Sequence, residues 1–179
     1  MQPLNNKIFL SLEEGCPKDL INTEIAQQFC HFICKSLGLE NYELSISFVG
    51  SRYIKELNKQ YRHKDKSTDV LSFPQENFSP PLQVHDQHTH DSKPRFAPIS
   101  LGDLIISIDD ARKNAIEIGQ PLERELAFLI IHGILHLVGH DHLEPDEERK
   151  MLDQQNTLIN LAGKDSPALW KGIIQNHGD

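Results

Sequence analysis

The stretch His132 to His142, HGILHLVGHDH, restricts this chain more than any other part of it. It overlaps the longest mostly apolar run, Leu126 to Val138, which predicts a helix with its histidines on a largely buried surface. On such a helix His132 and His136 stand one turn apart on one face, with roughly 5–6 Å between Cβ atoms. Gly139 follows three residues later and can take the left-handed conformation that ends a helix. The chain can then turn back and offer His142. Three imidazoles around an open fourth position describe a catalytic zinc site rather than a closed structural one. The competing reading, histidines that merely fill a core, suits a single histidine better than three at this spacing. His140 lies off the line of the other three and is read as a pocket residue or as support for a ligand.

The residue after the first histidine decides the chemistry. The ligand spacing H-x-x-x-H-x-x-G-x-x-H is that of the metzincin metalloproteases. In HExxH metalloproteases a glutamate directly follows the first histidine and serves as general base. Here Gly133 stands in its place, so peptidase activity is not expected. A bound zinc still acidifies water and polarises a substrate oxygen. Asp141, beside His142, is the candidate proton acceptor or partner of a ligand, with a plain turn carboxylate as the alternative. A peptidase or small-molecule hydrolase would need a base that the sequence does not locate.

The rest of the chain predicts a scaffold for that helix. Its 179 residues suit one domain with a mixed α+β architecture: about four strands packed with about five helices. Strands are expected at Lys7–Leu12, Glu43–Val49, Asp69–Phe73 and Ser100–Asp109, the second and last from strict alternation. Helices are expected over Leu20–Leu37, from Ser51 with an inner face of Ile54, Leu57 and Tyr61, and from Asp109 or Asp110 to Gly119. The histidine helix should follow Pro121, and a last helix should start near Pro145 and end near Gly163. Residues 75–98, which include HDQHTHD, have no periodicity and read as a long mobile loop with adventitious metal affinity. Residues 164–179 read as a C-terminal tail. Cys30 and Cys34 share the apolar stripe of the first helix and are read as core thiols rather than ligands. No signal peptide is apparent at the N-terminus, and no apolar run reaches membrane-spanning length, which predicts a cytoplasmic protein without membrane contact.

A net charge of −8 argues on average against a nucleic-acid partner. One segment overrides the average. Between Arg52 and Lys66, six basic residues (52, 55, 59, 62, 64 and 66) stand against Glu56 and Asp65, leaving a local charge of +4. Lys55 and Lys59 suit a solvated helix face. Arg62 opens a turn that feeds the third strand, and its planar fork matches phosphate oxygens. Activated water together with an arginine clamp points to phosphodiester hydrolysis.

HGILHLVGHDH, LNKQYRHKDKSTDVLSFP (57–74) and SLGDLIIS (100–107) together resemble, in order, the signature segments of the YbeY family of metal-dependent endoribonucleases. The resemblance covers the middle and C-terminal half. It implies a zinc held by His132, His136 and His142, a functional arginine at Arg62, and single-stranded RNA as substrate. It further implies maturation of the 16S ribosomal RNA 3′ end and quality control on the small ribosomal subunit with its assembly factors. A ribosome-assembly RNA-binding factor with a mainly structural metal is the alternative. The chain departs from the family pattern at His140, where tyrosine is usual, at Ser67, where proline is usual, and in a longer loop after Pro74. Ser67 predicts a looser turn before the third strand.

Overall fold

The computed structural model describes residues 5–84 and 97–175. Four strands form one mixed sheet in the order β1-β2-β4-β3, from β1 (Lys7–Leu12), β2 (Tyr42–Val49), β3 (Val70–Pro74) and β4 (Ile99–Ser107). β1, β2 and β4 run parallel, and β3 runs antiparallel on the outer edge of β4. Alternation decides the faces. Tyr42, Leu44, Ile46 and Phe48 of β2 and Leu104 and Ile106 of β4 point into the main core. On the opposite face of β1 and β2, Ser11 and Ser47 hydrogen-bond through their hydroxyls at 2.9 Å. Beneath α2 (Ser51–Arg62) that face is covered, and Val49, Ile54 and Leu71 form a small second cluster there.

The main core is closed by α1 (Thr23–Ser36), α4 (Leu122–Leu137), α5 (Pro145–Asp165) and α6 (Pro167–Lys171), with α3 (Ile108–Ile118) packed beside α4. Cys30 and Cys34 are fully buried on α1, and burial pushes the Cys34 thiol up to about 12, so they act as packing groups. α4 is apolar almost all round because it lies between the sheet and α5.

Several boundaries differ from expectation. α1 starts later than Leu20, because Ile21 bridges to Ile174 and the Asn22 side chain caps the helix by accepting from the Ile25 amide. Ser107 caps α3, so β4 ends two residues early and α3 begins at Ile108. α5 runs past Gly163 to Asp165, and α6 follows, which makes six helices among the described residues. Leu169 and Trp170 of α6 pack on the core, and Ile173 is fully buried, so the 169–174 stretch is packed against the rest of the chain. Tyr61 keeps the line of Ile54 and Asn58 on α2 yet is 58% exposed, and Asn58 is the buried residue that joins Ile54. Of the 75–98 stretch, residues 85–96, with the His-rich segment, lie outside the described residues. Residues 75–84 are anchored: Phe78, Leu82 and Val84 are buried, and the Leu82 amide donates to the Val138 carbonyl.

Candidate metal centre

α4 brings His132 and His136 to one face near its end, and its termination delivers the third histidine. Val138 is the C-cap, and Gly139 follows at φ +100°, a conformation L side chains rarely adopt. A Cβ at Gly139 would also lie 2.4 Å from the Phe78 carbonyl oxygen, so only glycine lets the chain reverse here. His142 then faces back towards α4. One ligating atom from each of His132, His136 and His142 lies within 4.8 Å of the others, which brings together the three residues the spacing singled out.

The imidazoles are fixed from behind. His132 Nδ1 lies 3.1 Å from Gln155 Oε1, and His136 Nδ1 lies 2.9 Å from the His140 carbonyl. Both acceptors are oxygens, so each Nδ1 carries the proton and each Nε2 presents a lone pair. The two Nε2 atoms face one another at 3.1 Å. Two lone pairs at that separation repel unless a cation sits beside them, and this fits the residues to a metal. Burial lowers the pKa of His132 and, with His132 and His142 adding to it, brings His136 down to about 4. These two side chains are therefore neutral and ready to ligate near pH 7. The His142 side chain is 51% exposed, so the centre opens to solvent on that side.

His140 is not one of the converging group. Its side chain is buried, with Nε2 2.6 Å from the Leu82 carbonyl, and its backbone oxygen orients His136. It staples the 75–84 segment beside the centre. Asp141 stands next to His142: its Oδ1 accepts from the His142 amide at 2.7 Å and lies 3.8 Å from His142 Nδ1. Gly133 faces away from the centre, since a Cβ there would lie 2.1 Å from Leu104 Cδ1 on β4. The missing side chain thus lets α4 press onto the sheet.

Arg62 does not join the histidines directly. At the end of α2 its Nη2 donates to the Ser72 carbonyl on the free edge of β3 at 3.4 Å. The Ser72 hydroxyl reaches the Gly133 carbonyl at 3.5 Å, so one strand separates Arg62 from α4. The turn after α2 is firmly held despite Ser67. Its hydroxyl donates to Asp110 Oδ2 and to the Ser51 carbonyl, and buried Asn58 donates to the Lys66 carbonyl at 2.8 Å. A side-chain hydroxyl thus supplies the restraint that proline would supply through its ring.

Sequence reading missed Gln155, Ser72 and the staple between His140 and Leu82. Gln155 had a signal: it is the polar member of the buried α5 stripe Met151, Gln155, Leu158 and Ala162. The others depend on contacts between distant segments.

Fold and centre together define an α+β protein whose buried helix and following turn present three imidazoles to one point. The family described as Endoribonuclease YbeY matches residues 16–163. Among proteins named endoribonuclease YbeY, that of Limosilactobacillus reuteri (strain DSM 20016) is 41% identical over 144 residues, covering 78% of this chain and 87% of its own. That of Halalkalibacterium halodurans is 43% identical over 129 residues, covering 72% and 77% respectively. A solution structure of a Thermotoga maritima protein shares the fold at TM-score 0.59 and 22% identity, covering 97% of this chain and 99% of its own. The chain belongs to the endoribonuclease YbeY family.

Proposed function

We propose that this protein is a zinc-dependent endoribonuclease that hydrolyses phosphodiester bonds in single-stranded RNA. The observation that carries the reading is the convergence of His132, His136 and His142, with two lone pairs opposed at 3.1 Å on a solvent-open side. When bound there, a divalent ion supplies a Lewis acid and an acidified water. The chain's own residues do the rest. Gln155 and the His140 carbonyl hold the His132 and His136 rings in the ligating tautomer. Arg62, at the β3 edge, clamps a phosphate through its fork. Asp141 takes a proton through Oδ2, because its Oδ1 is engaged by the His142 amide. No glutamate follows His132, and Gly133 faces the sheet, so peptide hydrolysis is not part of the repertoire. Membership of the family supports RNA as the substrate. The finer assignment is maturation of the 16S ribosomal RNA 3′ end on the small ribosomal subunit, with its assembly factors, in the cytoplasm. No helix among the described residues is long and apolar enough to cross a membrane.

Chelation separates this reading from an assembly factor with a structural metal. It should abolish cleavage of single-stranded RNA while folding and RNA binding persist; cleavage that survives chelation would refute it. Arg62→Ala should retain metal and fold yet lose cleavage strongly, with Arg62→Lys rescuing part, since an ammonium keeps the charge but not the fork. Full activity in Arg62→Ala would remove the clamp.

A further inference from the structure

Tyr61 is a residue whose helical position predicts core and whose surroundings make it surface. It continues the stripe of Ile54, Leu57 and Asn58, yet its ring is 58% exposed. It is not loose. Phe73 on β3 braces it edge-on, with ring centroids 5.3 Å apart and planes at 66°. A large ring with one edge packed and most of its area in water is costly to leave bare and well suited to stacking.

Its neighbours carry charge that is only partly paired among the described residues. Lys55 and Lys59 both pair with Asp65, and Arg52 pairs with Glu56. Arg62, Lys64 and Lys66 have no acidic partner among the described residues. The turn bearing Lys64 and Lys66 is rigid, because α2 ends at His63 with φ +57° and the Lys64 amide donates to the Asn58 carbonyl at 3.2 Å. The Arg62 guanidinium reaches round the β3 edge to Ser72, and Ser72 contacts Gly133, the neighbour of His132. A fixed aromatic face and three cations without an acidic partner among the described residues thus occur together, one strand away from the helix that carries His132 and His136.

From this juxtaposition we infer that Tyr61 is a stacking platform for an unpaired nucleobase of the RNA strand whose phosphate Arg62 holds. The occupant is a single-stranded polynucleotide: anionic, to match the cations, and with a base face free of pairing, to lie on the ring. A base inside a duplex offers no such face. Tyr61 would therefore bias the site towards unpaired RNA without reading sequence. The inference rests on the endoribonuclease reading.

Fluorescence anisotropy of metal-loaded full-length protein tests it, with a short labelled oligouridylate and an A-form RNA duplex as probes, their integrity checked on gels. Tyr61→Leu should keep wild-type metal content and melting temperature and bind oligouridylate about 5- to 150-fold more weakly, the range of one lost base stack. Tyr61→Phe should bind like wild type, and duplex affinity should not change in either variant. The salt dependence of binding should be unaltered in Tyr61→Leu, whereas Arg62→Ala should lower the logarithmic slope by about 0.7, one phosphate contact on a single strand. Wild-type oligouridylate affinity in Tyr61→Leu, or an equal loss in Tyr61→Phe, would overturn the platform while leaving the endoribonuclease reading standing. Failure of the wild type to bind oligouridylate would bring down both.

Discussion

Gly133 and Gln155 shape the centre without offering it a ligating atom. Alanine gains about 1 kcal/mol over glycine inside an open helix. At Gly163 a Cβ would meet nothing within 4 Å, so Gly163→Ala should raise the melting temperature. At Gly133 the same atom would press on the fully buried Leu104, and overpacking of roughly 1–3 kcal/mol should lower it. Opposite shifts in thermal melts are the expected result; a stabilised Gly133→Ala protein would mean that α4 is not pressed onto β4. Gln155→Leu removes the acceptor that fixes His132 in its ligating tautomer. Metal affinity, measured by competition with a chromophoric chelator, should drop by about 10- to 100-fold. An unchanged affinity would make Gln155 a packing residue only.

Among elements, the turn after α4 does two jobs, and His140 links them. Its backbone oxygen orients His136 while its imidazole holds the Leu82 carbonyl, so the 75–84 segment and α4 are joined through one residue. His140→Ala leaves the backbone oxygen in place but strands a buried carbonyl, a loss of about 1–3 kcal/mol. We expect metal to stay bound at full stoichiometry and amide exchange to quicken at Leu82 and Val84. Loss of the metal in His140→Ala would instead give this imidazole a direct part in the centre.

Across the whole molecule, one buried acidic group couples α3, α4 and the entry to β3. Glu125 accepts from Gln120 and, at 3.4 Å, from Asn114, which also donates to Asp69 at 3.0 Å. Burial above all, with Asp69 adding to it, holds the Glu125 pKa above its ordinary value. The folded chain thus favours the neutral acid. That contribution is fully present below the unfolded glutamate pKa and is lost as pH rises through the raised folded value. Urea unfolding in chelator across this window should show Glu125 making stability fall with rising pH, and Glu125→Gln should remove that part of the slope. Identical pH profiles for the two proteins would show that Glu125 ionises in the folded chain as freely as in the unfolded one.

Local pattern was enough for the strands, the long helices and the convergence of the three histidines. Period-two alternation marks β2 and β4 because each strand buries one face and shows the other. The three histidines were legible because helical pitch and a glycine turn convert their spacing directly into convergence. Gly133 was legible as a missing base but not as a contact, since Leu104 lies on another element. Tyr61 obeys the helical period of α2 and still faces water, because periodicity gives a direction round the helix while the sheet edge decides how far cover extends. The His140 staple, the Gln155 bond and the packed α6 each join segments far apart in the chain. The sequence by itself determined which residues share a face and where the chain must turn, because those follow from backbone geometry over a few residues. Only tertiary structure decided what each face meets, because a contact energy belongs to two segments and neither one encodes its partner.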